Sequence, residues 1–193
     1  MLELALKQEQ AENCERIVNG VRGGVYELAL PIVALVEPLY AHRGSSEKRK
    51  RVAEQWQEQL AQFKKTDTPL HRDAVTAIQD ALVKTAKIED YERRRIADTA
   101  GRLSAQCRLL PVRDSLFAEG FNLERHLGLT SVDALAISTI MDDARTLSHD
   151  RVFLSLDKKS MTPVISELKT LRVDVCHKAD NLEGWLKARG VTL

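Results

Sequence analysis

The chain has 193 residues, of which 44% are hydrophobic and 30% are charged. These values are typical of one globular domain with a substantial core. The formal net charge is only +1, so any attraction to nucleic acid must come from a local surface. No apolar run approaches the roughly 18 residues of a spanning helix, so the sequence predicts no membrane partner.

The cysteines and the first residues indicate the compartment. Cys14, Cys107 and Cys176 lie far apart and form no Cys-x-x-Cys pair. Glu3 places an acid where a signal peptide carries basic residues. We therefore expect a reducing, cytoplasmic location, with the cysteines as core residues rather than metal ligands or nucleophiles.

Short strands alternate with helices along most of the chain. The predicted strands are residues 25–30, 107–112, 152–156 and 173–177. The predicted helices between and around them are residues 8–22, 32–40, 114–127, 131–146, 162–171 and 182–188. Strands separated by helices predict a parallel sheet that is covered on both faces. We therefore expect an α/β fold, with three α/β/α layers around a central parallel sheet, in a single domain spanning residues 1–193.

Residues 44–105 are predicted to form a helical insertion in this domain. One helix is expected to begin at Ser45, a second at Thr68-Pro69 and a third at about Ile88. The apolar stripes of these helices are narrow.

The first of these helices carries a local excess of positive charge. Residues 43–65 hold seven Lys or Arg against three Glu, and the contiguous residues Lys48, Arg49, Lys50 and Arg51 dominate the excess. Such a segment is either a solvated helical face or a surface that contacts phosphates. These four residues are the candidate RNA-binding residues.

Three carboxylates stand at the ends of apolar segments. Glu37 lies in the apolar run from Leu30 to Leu39, Asp133 in the first turn of a predicted helix, and Asp157 directly after a predicted strand. Burying an unpaired charge is costly, so Glu37 is expected to meet a cation or a donor. Ligands gather outside the carboxyl ends of parallel strands, where these acids would meet. Their joint occurrence predicts a site for a hard divalent metal.

Each of the three acids also has a structural explanation. Asp133 can cap its helix, Asp157 can form a turn, and Glu37 can form an interior ion pair with an arginine. An unrelated α/β protein in which all three acids are structural therefore stays an alternative.

Three segments of the chain resemble the second, third and fourth conserved blocks of the PIN-domain ribonuclease family. They run from Leu30 to Glu37, from Leu129 to Ile137 and from Phe153 to Lys159. The resemblance covers most of the chain apart from residues 44–105. It implies a sheet in the order 3-2-1-4-5 and cleavage of RNA with Mg²⁺ or Mn²⁺.

The resemblance also implies roles for individual residues. Glu37, Asp133 and Asp157 would be the catalytic metal ligands, directly or through water, and Ser155 would support a ligand. The family opens with a strand ending in Asp-Thr-Asn, whose aspartate is a further ligand, whereas this chain opens at Met1-Leu2-Glu3-Leu4. A translation start upstream of Met1 is expected to restore that strand. A decayed gene is the alternative, and Asp150 is the first acid to test as a replacement ligand.

Two functions follow from these observations. The leading hypothesis is a cytoplasmic, metal-dependent endoribonuclease that hydrolyses RNA phosphodiester bonds. The alternative is a catalytically inactive PIN-like module that binds RNA or a protein. RNA is the expected partner in both, and a homodimer or an antitoxin-like protein partner is left open.

Overall fold

The computed structural model describes residues 1–21, 24 and 26–191, and most of these residues are helical. The helices are α1 (Leu2–Leu6), α2 (Ala11–Gly20), α3 (Val33–Phe63), α4 (Pro69–Gln106), α5 (Asp114–Leu127), α6 (Ser131–Thr146), α7 (Lys158–Met161), α8 (Ile165–Thr170) and α9 (Ala179–Lys187). The strands are β1 (Ala29–Pro31), β2 (Arg108–Leu110), β3 (Arg151–Leu154) and β4 (Val173–Cys176).

The strands form two separate parallel pairs. β1 pairs with β2, and β3 pairs with β4. No strand of the described residues joins β1 to β3. The predicted three-layer α/β/α fold with a central parallel sheet is therefore wrong, and the protein is mostly helical.

The strands are shorter than predicted, which explains part of this error. Each contains three or four residues, so each pair has few ladder hydrogen bonds. The predicted first strand is described only as β1, from Ala29 onwards, and its predicted start at Val25 lies outside the described residues. The alternation of strands and helices predicted where the strands lie and that they run parallel. It did not determine whether the two strand pairs join into one sheet.

α3 and α4 pack against each other as a helical hairpin of 31 and 38 residues. The prediction that residues 44–105 are largely helical is confirmed, and so is the helix start at Thr68-Pro69. The predicted starts at Ser45 and at about Ile88 are wrong, because α3 begins at Val33 and continues through Gly44, and α4 continues through Ile88. A glycine inside a helix costs only about 1 kcal/mol relative to alanine, which is too little to end a long helix. Thr68 caps α4, and its hydroxyl oxygen accepts from the His71 amide at 3.3 Å.

The apolar core lies outside residues 39–95 of the hairpin formed by α3 and α4. In the largest cluster, Ile137 of α6 packs with Leu168 of α8 and Val173 of β4. Further clusters join α9 to α2 and join α1 and α2 to the end of α4. Between residues 39 and 95, Leu60 is the only buried residue. None of the described helices combines the length and the apolar composition needed to cross a membrane.

Candidate functional site

Asp133 is held by the cap of α6. The Thr130 hydroxyl oxygen accepts from the Asp133 amide at 3.2 Å, and the same hydroxyl donates to Asp133 Oδ2 at 2.8 Å. Asp133 lies in the first turn, where a negative charge is favoured, but the residue that caps α6 is Thr130 rather than Asp133. Oδ1 of Asp133 has no hydrogen-bond partner in the described part of the chain. One oxygen therefore positions the half-buried side chain and the other is available to a ligand.

Glu37 lies in the second turn of α3 and is exposed, so the expectation of a fully buried charge is wrong. Partial burial raises the pKa of its carboxyl. The charge of Asp133 raises this pKa further, the Met1 amino group lowers it, and Asp157 raises it. No Lys, Arg or His among the described residues forms an ion pair with Glu37, so the predicted arginine partner is absent from this part of the chain.

Asp157 and Ser155 follow β3. Asp157 is exposed, and its backbone carbonyl accepts from the Met161 amide at 3.2 Å. The Ser155 amide donates to the Cys176 carbonyl at 3.0 Å, which extends the pairing of β3 with β4. Ser155 therefore helps to fix the turn that leads to Asp157, through its backbone.

Two other polar residues lie beside these strands. Asp150, the predicted replacement ligand, accepts from Arg189 Nε at 2.8 Å. His177, which the sequence did not single out, directly follows β4, and its Nδ1 lies 3.1 Å from the Ser155 carbonyl oxygen. His177 Nε2 is buried and has no hydrogen-bond partner among the described residues. Its position at the carboxyl end of a strand was the signal that could have identified it.

The three predicted acids come from separate segments, and the charges of Asp133 and Asp157 both raise the pKa of Glu37. α3 packs against α6, which brings Glu37 towards Asp133, and Asp157 is close enough to affect the charge of Glu37. Within the described ranges, however, no group of three or more His, Cys, Asp or Glu is arranged to hold a metal ion. Mg²⁺ usually keeps several waters and uses only one or two protein carboxylates. The donor chemistry therefore fits a hydrated divalent ion, but not a closed shell of protein ligands.

The predicted RNA-binding residues divide into two groups. Arg49 Nη1 lies 2.6 Å from Glu92 Oε2, and His42 Nε2 lies 3.4 Å from the same carboxylate oxygen. Arg49 therefore helps to join α3 to α4. Lys48, Lys50 and Arg51 are exposed and have no carboxylate partner in the part of the chain that the structure describes. With 3.6 residues per turn, Lys50 points away from the face that Lys48 and Arg51 share, so the three side chains cannot all face one phosphate chain.

Comparison of the chain with protein-family models, with curated proteins and with solved structures found no match. Function is therefore inferred from the described residues and their chemistry.

Proposed function

We propose that this protein is a metal-dependent endoribonuclease that cleaves RNA at Glu37, Asp133 and Asp157, with Mg²⁺ or Mn²⁺ as the cofactor. The observation that supports the proposal is the packing of α3 against α6, together with the effect of the Asp133 and Asp157 charges on the pKa of Glu37. Like charges that are held together disfavour ionisation, and Glu37 has no cationic side chain paired with it among the described residues. A bound cation would relieve this repulsion.

The surroundings of the three acids are compatible with metal binding and RNA cleavage. Thr130 restrains one oxygen of Asp133, so a ligand at Oδ1 would meet a side chain that is already oriented. Glu37 and Asp157 are exposed, so a large RNA substrate can reach them. A divalent ion at this place would activate a water molecule and neutralise charge on the phosphodiester. His177 lies next to Ser155, in the strand pair that leads to Asp157.

A second candidate function is RNA binding without cleavage. The arrangement of the carboxylates favours it, because no three of the described metal-ligating side chains surround a common point. The exposed cations of α3 would then provide most of the affinity.

The experiment compares Asp133→Asn with Asp142→Asn in the 193-residue chain. Asp142 lies on the same helix and pairs only loosely with Arg113, at 3.3 Å, so it is the matched control. We expect Asp133→Asn to lower Mg²⁺- or Mn²⁺-dependent cleavage of labelled RNA by about 100-fold or more, and Asp142→Asn to leave it unchanged. Asparagine can still accept the Thr130 hydrogen bond, so the thermal melt should shift little.

Two further measurements complete this test. Mn²⁺ binding followed by calorimetry should be lost in Asp133→Asn and retained in Asp142→Asn. Cleavage that persists in EDTA, or that survives Asp133→Asn, would refute the proposal. Binding of RNA without any metal-dependent cleavage would support the second candidate instead.

A further inference from the structure

A small polar cavity lies where the helices α1 and α2 meet the carboxyl-terminal third of α4. Its volume is about 260 Å³, which is below the usual range of sites for drug-sized ligands. The lining residues are Leu4 from α1, Glu15 from α2, and Arg95, Asp98, Thr99 and Arg102 from α4. None of them belongs to the proposed carboxylate site, so the cavity is a separate feature of the molecule.

Arg102 and Glu15 neutralise each other at one wall of this cavity. Arg102 Nη1 donates to Glu15 Oε1 at 2.6 Å, and Arg102 Nη2 donates to Glu15 Oε2 at 2.8 Å. Arg102 Nε is buried and has no hydrogen-bond partner in the described part of the chain. A buried donor without a partner is costly, and an acceptor brought close to it would reduce that cost.

Arg95 is held by backbone carbonyls rather than by a carboxylate. Its Nε donates to the Ala5 carbonyl, its Nη2 to the Leu4 carbonyl at 3.4 Å, and its Nη1 to the Tyr91 hydroxyl at 3.1 Å. Each Nη has two N–H groups, so each keeps one that no described residue accepts from. Arg95 also has no carboxylate partner among these residues, so its positive charge is uncompensated.

Asp98 and Thr99 bring unpaired polar groups to the same cavity. Asp98 is exposed and forms no ion pair within the described ranges, although Arg95 and Arg102 are three and four positions away on its helix. Such spacings usually allow a pair, but these arginines contact α1 and α2 instead. Thr99 is only 7% exposed, and its hydroxyl has no hydrogen-bond partner among the residues that the structure describes.

The uncompensated charges of the cavity have opposite signs. Arg95 supplies a guanidinium and Asp98 a carboxylate, while Arg102 and Glu15 cancel, so the charged side chains that line the cavity sum to zero. This balance disfavours a polyanion and a bare metal ion. A small molecule that carries both a carboxylate and an ammonium group complements the two charges. Leu4 adds apolar surface to the wall.

We propose that this cavity binds a free α-amino acid. The ligand carboxylate accepts hydrogen bonds from the Nη groups of Arg95 and from the Thr99 hydroxyl, and the ligand ammonium group pairs with Asp98. A short apolar side chain of the ligand contacts Leu4. The bound amino acid joins α1 to α4, and its binding does not depend on the proposed nuclease.

Binding can be followed by NMR of the ¹⁵N-labelled, 193-residue chain. Glycine and L-valine should each shift the Arg102 Nε–H and Thr99 amide signals, with saturation at a concentration below about 10 mM. Glycine has no side chain that could clash with the wall. The Trp56 indole N–H lies on the hairpin, outside the cavity, so its signal should not move.

Two fragments of L-valine test whether both charges are needed. Isovalerate lacks the ammonium group, and isobutylamine lacks the carboxylate. Each should bind at least about 10-fold more weakly than L-valine, because each loses a charge-assisted hydrogen bond.

The role of Asp98 has its own variant and control. Asp98→Asn should weaken binding of L-valine by about 10- to 100-fold, because the ammonium group loses its charged partner. It should leave isovalerate binding unchanged or make it tighter, because a negative charge near the carboxylate is removed. Asp80→Asn is the matched control, because Asp80 is an exposed aspartate of α4 that has no ion-pair partner in the described residues and does not line the cavity.

The hydroxyl of Thr99 can be removed with little change of volume. Thr99→Val should weaken binding of L-valine by about two- to 10-fold, and Thr99→Ser should restore it. If Thr99→Val also lowers the thermal melt, Asp98→Asn, at an exposed position, still tests the site in a folded chain.

Four outcomes would overturn the proposal. The first is the absence of a saturable shift with both glycine and L-valine. The second is binding of isovalerate or isobutylamine as tight as that of L-valine, which would make the cavity a site for an anion or for a cation. The third is an equal loss of L-valine binding in Asp98→Asn and Asp80→Asn. The fourth is a shift of the Trp56 signal in parallel with that of Thr99, which would indicate non-specific binding.

Discussion

The helical hairpin and the carboxyl-terminal region, residues 108–187, hold their helices in different ways. In the carboxyl-terminal region, α6 places Ile137 and Met141 in a core shared with α8 and β4. In the hairpin, Leu60 is the only buried residue between residues 39 and 95, and polar contacts such as Arg49 with Glu92 join the two helices. One region is stabilised by apolar burial, and the other is a long projection with a largely exposed surface.

This difference indicates where each functional role can be placed. Carboxylates that act together need fixed positions, and Asp133 and Asp157 belong to the packed region. Glu37 lies at the base of α3, where the hairpin meets α6, so the proposed carboxylate site would be at the junction of the two regions.

The largest expected effect is on the free energy of unfolding, and it tests the core of the carboxyl-terminal region. Ile137 is 1% exposed on α6, so Ile137→Ala removes buried apolar surface and leaves a cavity. We expect the free energy of unfolding to fall by about 2 to 5 kcal/mol, measured by urea denaturation followed by circular dichroism. A loss below about 1 kcal/mol would contradict the description of α6 as the centre of a closed core.

The next effect tests the polar contacts of the hairpin. Glu92→Ala removes the ion-pair partner of Arg49, and it also removes a carboxylate that lies 3.4 Å from Nε2 of His42, whose side chain is 9% exposed. We expect a loss of about 1 kcal/mol, because Arg49 is partly solvated and can regain water. The loss should be local: hydrogen exchange should accelerate in residues 42–92 and stay unchanged in α6.

Glu54 provides the control for this measurement. It is exposed on α3 and has no ion-pair partner among the described residues, so Glu54→Ala should not alter hydrogen exchange. Equal acceleration in Glu54→Ala and Glu92→Ala would show that the ion pair does not stabilise the hairpin.

A smaller effect links stability to the carboxylate site. Thr130→Ala removes the cap of α6 and should lower the free energy of unfolding by about 1 kcal/mol. It also releases Asp133 Oδ2, so affinity for Mn²⁺ should change as well. Thr130→Ser keeps the hydroxyl and should restore both quantities, whereas failure of serine to restore them would exclude the hydroxyl as the cause.

The elements that the sequence predicted best have strong local signals. α5 and α6 have the predicted bounds because Gly128, at φ 66°, takes the left-handed conformation that ends α5, and Thr130 caps α6. The four strands were located by their apolar runs. Whether their pairs join into one sheet depends on contacts between distant segments, which an alternating pattern does not specify.

At the candidate site too, the sequence predicted some features and missed others. The convergence of Glu37, Asp133 and Asp157 stays a prediction, because Asp133 and Asp157 affect the pKa of Glu37 but no group of three acids in the described residues is arranged to hold a metal ion. The exposure of Glu37 was missed, because an apolar run indicates burial only when both sides of the helix are covered. The pairing of Arg49 with Glu92 was also missed, because the two residues are 43 positions apart and no local charge count relates them.

The smallest expected effect on stability tests most directly the contrast between the hairpin and the carboxyl-terminal region. Ile88 is 52% exposed on α4, and Ile88→Ala is chemically the same change as Ile137→Ala. Alanine is the better helix former, which offsets the small loss of partial burial, so the free energy of unfolding should change by less than about 0.5 kcal/mol. A large loss of stability would show that the hairpin has its own core, and the contrast between the two regions would fail.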